Sequence, residues 1–210
     1  MIKNRQTKIS CLVVLVFGIL LFYVGTDGFT AYTAETARVT KLVEDQPEFP
    51  IVGLEDSKGR TYLISEFEDK YLFITFMYTS CTTVCIQLEY NMSQVYDRIP
   101  DEYLGKDIVF LSISFDPTKD DPATLKKYMQ LYESDGETWR MARIPNQEQL
   151  DNLLAKFGVI VIPDGKGNYA HNSAFYLVDG KGKLVDVMDF QDVDTAATKL
   201  LDILKAGKGE

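Results

Sequence analysis

Residues 71–85 read YLFITFMYTSCTTVC, and the change of pattern inside this stretch decides the fold. Residues 71–78 are one continuous apolar and aromatic run, of the length expected for a strand buried on both faces. From Thr82 or Thr83 the period changes, and Val84, Leu88, Met92 and Val95 recur at helical spacing as far as Ile99 and Pro100. Downstream, 108–115 (IVFLSISF) repeats the buried-strand pattern and ends at Asp116-Pro117. Asp121 as cap and Pro122 at the first helical position open a helix to about Glu133. Residues 139–144 read as a strand and 146–157 as a helix stopped by Gly158. Residues 174–178 and 184–188 form a hairpin across Asp179-Gly180-Lys181-Gly182, and a helix follows over about 193–205. Upstream, 49–54 and 60–63 flank the polar turn Asp56-Ser57-Lys58-Gly59, an added N-terminal hairpin. This succession describes an α/β domain with a parallel sheet extended by antiparallel strands, hence a central mixed sheet flanked by helices.

Ligands of such open sheets sit at the carboxyl ends of the parallel strands. Cys81 lies there, three residues past Tyr78. A helix beginning near Thr82 separates Cys81 from Cys85 by one turn and turns both the same way. Two sulfurs so placed can close a disulfide or grip one soft metal ion, and N–H groups at the helix start favour a Cys81 thiolate. An inert staple is the weaker reading, because a ring of about five residues removes little unfolded-state entropy. A lone histidine beside a strand is most often a surface or hydrogen-bonded residue. His171, however, precedes an expected strand over 172–178 that this topology can run beside 71–78, which brings the imidazole near the thiols. Two thiolates and an imidazole suit copper, with sulfur favouring Cu(I) and imidazole accommodating Cu(II).

The rest of the composition narrows the function classes. A chain of 210 residues, 25% charged and 46% hydrophobic, is one domain or one domain with a tail, neither wholly disordered nor a polytopic membrane protein. The net charge of -9 is uneven: Lys3, Arg5, Lys8 and Asp27 give residues 1–27 a net of +2, leaving -11 for 28–210. So acidic a body repels phosphate backbones, and nucleic-acid binding is set aside. One histidine excludes zinc motifs built on paired imidazoles.

Behind the basic residues, 9–24 (ISCLVVLVFGILLFYV) is a sixteen-residue apolar run of about 24 Å. That falls short of a ~30 Å hydrocarbon core, a gap that Gly25 and a tilted or thinned bilayer close. No small-residue pair follows at cleavage spacing, which favours an uncleaved anchor over a signal peptide. The expected organisation is a basic cytoplasmic tail (1–8), a membrane anchor (9–25), a tether (26–46) and an exported domain (47–208) on the extracytoplasmic side. Cys11 is then a small apolar residue of the anchor, too early in the run for a lipidated cysteine. Cys81 and Cys85 are left in an oxidising setting where an isolated pair tends to be a disulfide.

FITFMYTSCTTVC, SISFDPTKDDP and HNSAFYLVDGKGKLVD together resemble the Sco (SenC) family of thioredoxin-like copper proteins across roughly residues 47–205. Cys-x3-Cys alone is a weak signal. It gains weight from the buried strand, from Ser114 to Pro117, and from a histidine 86 residues beyond the second cysteine. The resemblance implies a thioredoxin-like fold and a copper site of Cys81, Cys85 and His171. It further implies a membrane-tethered chaperone that helps build the dinuclear CuA centre of cytochrome c oxidase subunit II. The family often has Pro after the second cysteine and Asp before the histidine, where this chain has Ile86 and Ala170. The loss at Ala170 removes a carboxylate able to orient the imidazole.

The same cysteines suit a second function, a thiol-disulfide oxidoreductase that reduces the CuA cysteines or other exported disulfides, itself served by an exported thiol reductant. A peroxidase fits less well, because Ile74 and Tyr78 stand where peroxiredoxins have Pro and Thr. A third class is a copper-responsive or purely structural interaction module, held at the membrane for assembly contacts, which would retain function with both cysteines replaced by serine. Gly165 to Ala170 matches G-x-G-x-x-A superficially, but it lacks a strand-turn-helix context and reads as a hairpin turn. Asp116, Asp120 and Asp121 read as caps and turns before a metal patch.

Overall fold

Within α1 (Ile2–Gly25), residues 9–24 carry apolar side chains on every side and leave no polar face to give to water. The computed structural model describes residues 2–26 and 33–208, with side chains over 7–26 and 33–207. Within α1, Thr7–Gly25 is 19 residues with a mean hydropathy of 2.3, long and apolar enough to cross a membrane by length and composition. At about 28 Å it reaches further than the sixteen-residue run alone. The side chains of the expected basic tail lie outside the described residues up to Gln6. Of the expected tether, 27–32 are likewise outside them, but α2 (Ala34–Asp45) is helical. Thr33 Oγ1 accepts the Thr36 N–H at 3.0 Å and Glu35 pairs with Arg38 one turn on, so capping and good helix formers order a segment that composition had marked as a linker. Residues 1–44 and 45–210 are two separate units.

In the second unit, β1 (Gly53–Asp56) and β2 (Thr61–Leu63) form the expected N-terminal hairpin. The buried Asp56 carboxylate closes it by accepting the Lys58 and Arg60 N–H groups. Strand β3 (Tyr71–Met77) enters α3 (Val84–Tyr96), β4 (Ile108–Ser114) enters α4 (Pro122–Gln130), and β5 (Trp139–Arg143) enters α5 (Gln147–Lys156). A small hairpin of β6 (Val161–Pro163) and β7 (Tyr169–His171) precedes β8 (Phe175–Val178), β9 (Leu184–Met188) and α6 (Val193–Lys208). The seven-stranded sheet has the order β2-β1-β5-β4-β3-β8-β9. Strands β3, β4 and β5 are parallel, while β8, β9, β1 and β2 add antiparallel strands at the two sides.

The apolar runs are buried as the sequence required: every residue of β4 and all of β3 past Tyr71 are inside. Phe73 lies between Phe110 and Phe175, ring centres 5.1 and 4.9 Å away, and locks β3 to both neighbouring strands. Burying each such ring contributes about 2–3 kcal/mol. Helix α3 lays Leu88, Met92 and Val95 into this core and packs beside α6. Gly180 lets the β8–β9 turn approach the 69–70 bend: a Cβ there would stand 2.8 Å from the Asp69 carbonyl carbon.

Several elements depart from expectation, beginning with the first strand, expected over 49–54 and found at Gly53–Asp56. Helix α3 starts at Val84, because Thr83 is non-helical (φ -130°, ψ -102°). Helix α4 stops at Gln130, and Glu133 takes a positive φ in the turn after it. A further difference is β6–β7, whose three-residue strands are too short to leave a periodic signal. Its turn is the expected one, with Gly165 and Gly167 at positive φ and Asp164 accepting two N–H groups. Consequently His171 ends β7 and does not stand at the mouth of β8, which begins at Phe175.

Candidate metal centre

The site lies where β3 leaves the sheet. The last ladder bond runs from Phe115 N–H to Met77 O at 3.0 Å, and Tyr78-Thr79-Ser80-Cys81 then turns, with Cys81 N–H donating to Tyr78 O at 3.2 Å. Thr83 makes no side-chain capping bond for α3. In its place the Cys81 sulfur accepts the Cys85 N–H at 3.4 Å and lies 3.8 Å from the Thr83 hydroxyl. Cys81 is therefore outside the helix and caps it, whereas Cys85 is inside its first turn. Both thiols are free and buried.

This difference of setting separates their acidities. Burial opposes ionisation of Cys81, but hydrogen bonds from the Cys85 thiol and the Thr83 and Cys85 N–H groups outweigh it and lower its pKa. Cys85 is raised instead, by burial and then by the neighbouring Cys81. Cys81 on the loop side is thus the more acidic thiol of the pair and Cys85 on the helix side the less acidic.

His171 completes the cluster from β7, which pairs with β6 through Val161↔His171. Its ring stacks edge-on against Phe115 at 5.0 Å and Tyr78 at 6.2 Å, and Tyr169 braces both of those rings. The Tyr169 N–H donates to the Tyr78 hydroxyl oxygen at 3.3 Å, tying the hairpin to the end of β3. Nδ1 lies 3.1 Å from the Asn172 carbonyl, which can only accept. The network therefore assigns the hydrogen to Nδ1 and leaves the Nε2 lone pair facing Cys85 Sγ at 3.3 Å. Burial lowers the imidazole pKa and so favours the neutral ring, the form that ligates metals.

One ligand atom from each of Cys81, Cys85 and His171 lies within 4.8 Å of the others. A soft ion about 2.3 Å from each donor requires donor separations near 4 Å, so this set closes on one ion with small adjustments. All three residues singled out in the sequence meet at one point. The aspartates do not form a second metal patch: Asp121 caps α4 through the Thr124 N–H, Asp116 pairs with Lys119, and Asp120 turns inward to Thr79 and Ser114. Ile86 is half exposed on the outer side of α3 and takes no part in the cluster. Ala170 is exposed, and the orientation an adjacent carboxylate would give comes instead from the Asn172 carbonyl, the Ser173 hydroxyl and Phe115. Sequence reasoning assigned Phe115 to the core and gave Tyr169 and Asn172 no role. An aromatic two positions before the histidine was the available signal for Tyr169; a backbone carbonyl leaves none.

A mixed sheet with two thiols and an imidazole at the carboxyl end of its central strand defines a thioredoxin-like domain with a soft-metal or redox centre. Residues 47–205 match the SCO1/SenC family model, and the chain belongs to that family. It is 27% identical over 136 residues to the SCO1 protein homolog of Bacillus subtilis, 64% of this chain and 64% of that relative, so the match spans less than two thirds of its length. Yeast Sco1 with copper bound superposes with a TM-score of 0.62 at 22% identity, over 76% of this chain and 89% of that one. BsSco, described by its disulfide switch as a member of the Sco family of cytochrome c oxidase assembly proteins, gives 0.61 at 23% identity over 73% and 95%. At such identities the structural likeness establishes the fold.

Proposed function

We propose that this chain is a membrane-anchored copper chaperone that carries copper on Cys81, Cys85 and His171 and assists assembly of the CuA centre of cytochrome c oxidase subunit II. The observation that carries the reading is the convergence of two sulfurs and the Nε2 lone pair of His171 within 4.8 Å. Copper matches that donor set, since thiolates suit Cu(I) and imidazole tolerates both oxidation states. The copper-bound yeast neighbour and the oxidase-assembly description of BsSco support cargo and destination. In this reading α1 anchors the chain, residues 1–8 stay in the cytoplasm, 26–46 tether, and 47–208 work on the extracytoplasmic side, where an exported thiol reductant keeps the pair reduced.

Within the site each residue has a distinct task. Cys81, already biased to thiolate, receives the ion first; Cys85 must lose its proton to join; His171 arrives neutral with its lone pair aimed. The test is a copper titration of the reduced full chain beside His171→Ala, followed by transfer to an apo-CuA fragment. Binding of about one copper, lost with the disulfide and weakened by His171→Ala, is the expected result. Equal binding by the oxidised chain would remove the site.

The unequal acidities favour one further reading, a thiol-disulfide oxidoreductase. The Cys81 thiolate attacks a substrate disulfide and expels one substrate thiolate. Cys85, after losing its proton, then attacks the Cys81 sulfur and releases the second, so two electrons pass to the substrate and the pair ends as a disulfide. His171→Ala spares this exchange, and loss of copper transfer with intact exchange would make it the main activity.

A further inference from the structure

Past Met77 the chain that carries Cys81 has left the sheet, and Ser80, Thr82 and Thr83 around it are exposed. The buried Tyr78 and Cys81 are held by packing, while half-buried Thr79 between them is held by a side chain 41 residues away: Asp120 accepts the Thr79 N–H on Oδ2 at 3.0 Å and the Thr79 hydroxyl on Oδ1 at 2.5 Å. The same Oδ2 accepts the Ser114 hydroxyl at 2.5 Å, from the last residue of β4. Asp120 is 0% exposed, and the ion pair beside it belongs to Lys119 and Asp116.

A carboxylate buried among uncharged donors is a costly way to pin a turn. Its advantage is a rigid pair of acceptors, which grips both donors of a single residue and so fixes the direction of the chain as well as its position. Thr79 stands two residues before Cys81, inside the turn that Cys81 N–H closes on Tyr78 O. We propose that Asp120 is a positioning residue for the copper site, clamping Thr79 to the end of β4 so that the Cys81 sulfur is held against Cys85 and His171. The proposal rests on the copper reading above for its function, while its geometry applies equally to the dithiol pair. The Asp-rich segment after β4 thereby gains a task beyond capping.

The test uses the full-length reduced chain with Asp120→Ala, Asp120→Asn and, as a control from the same segment, Asp121→Ala, which removes only the exposed cap of α4. Copper(I) affinity is read by competition with a chromophoric chelator, the Cu(II) form by its thiolate charge-transfer band, and the metal-free pair by its equilibrium with dithiothreitol. In that equilibrium Cys81 and Cys85 give two electrons and two protons to oxidised dithiothreitol. Asp120→Ala should weaken copper by about ten- to a hundredfold and move the band, the range seen when residues behind metal ligands are lost. Asp120→Asn should recover most of this, because its amide oxygen accepts the Thr79 N–H and Ser114 hydroxyl while its NH2 donates to a reversed Thr79 hydroxyl. Asp121→Ala should lower thermal stability and leave affinity and band unchanged. A folded Asp120→Ala chain with the affinity, band and dithiol equilibrium of the unmodified protein overturns the proposal, as does Asp120→Asn as impaired as Ala. Should Asp120→Ala not fold, Thr79→Val removes the hydroxyl half of the clamp and must shift affinity the same way. If the unmodified chain itself takes up no copper, the copper reading fails, and the dithiothreitol equilibrium alone then decides for or against the clamp.

Discussion

Glu89 lies one turn beyond Cys85 on α3, wholly buried, with Oε2 accepting the Ser112 hydroxyl at 2.8 Å and Oε1 without a hydrogen-bond partner. Ser112 in turn accepts the Trp139 indole N–H at 3.1 Å. Burial dominates over the single hydrogen bond and pushes the carboxyl from 4.5 up to about 8. In the unfolded chain the group ionises near its ordinary value, so between these two pKa values the folded state holds a proton that the unfolded state has lost. Stability therefore falls as pH rises through this window, by at most ~1.4 kcal/mol per pH unit. Replacing Glu89 with Gln keeps the shape and removes the titration. The stability of Glu89→Gln relative to the unmodified chain should grow by roughly 3–4 kcal/mol between pH 5 and pH 8. Urea unfolding of both reduced chains at a series of pH values measures the difference, in which Cys81, Cys85 and His171 cancel. Parallel curves across that range would refute the reasoning, since they would mean that the carboxyl is ionised in the folded state.

Iodoacetamide should alkylate Cys81 well before Cys85 in the reduced chain, with a rate that rises with pH along the Cys81 thiolate; equal rates, read by peptide mass analysis, would contradict the assigned acidities. Gly180→Ala should cost about 1–3 kcal/mol, seen as a lower thermal midpoint, because its Cβ must push back the Asp69 main chain. Phe115→Leu leaves every candidate ligand in place but withdraws the ring that lies 5.0 Å from the imidazole, so it should broaden the Cu(II) resonance and weaken copper by roughly tenfold, with thiol exchange intact.

The parts of the fold that could be read in advance are those whose burial demands a repeated pattern. Strands β3 and β4 are apolar on both faces, and α3 shows its core stripe at Leu88, Met92 and Val95, so the parallel core and the place of the cysteines followed from periodicity. Asp121 before Pro122 marked α4 because capping chemistry is local. His171 was brought to the right neighbourhood for a partly different reason: β8 does pair with β3, yet the ring comes in on the β6–β7 hairpin. Three-residue strands closed by a Pro leave no alternation to detect, and the hairpin acquires its shape from Tyr78, Phe115 and Tyr169, which a linear reading cannot bring together. The bond between Thr79 and Asp120 spans 41 positions for the same reason.

Three elements supply the three donor atoms, and each is held by a different kind of tie. Core packing of α3 fixes Cys85, polar clamping by Asp120 and the helix N-terminus fixes Cys81, and an aromatic wall with one backbone carbonyl fixes His171. None of these ties exists in an unfolded chain whose second cysteine and histidine are 86 residues apart, so a metal taken up here is gained largely by the folded state and should stabilise it. The separation also sets what each loss means. Damage to the Asp120 clamp or the aromatic wall loosens a donor that is still present, which a conservative substitution can restore. Loss of the imidazole is different in kind, because His171 is the sole histidine of the chain and no second ring is available to approach Cys85.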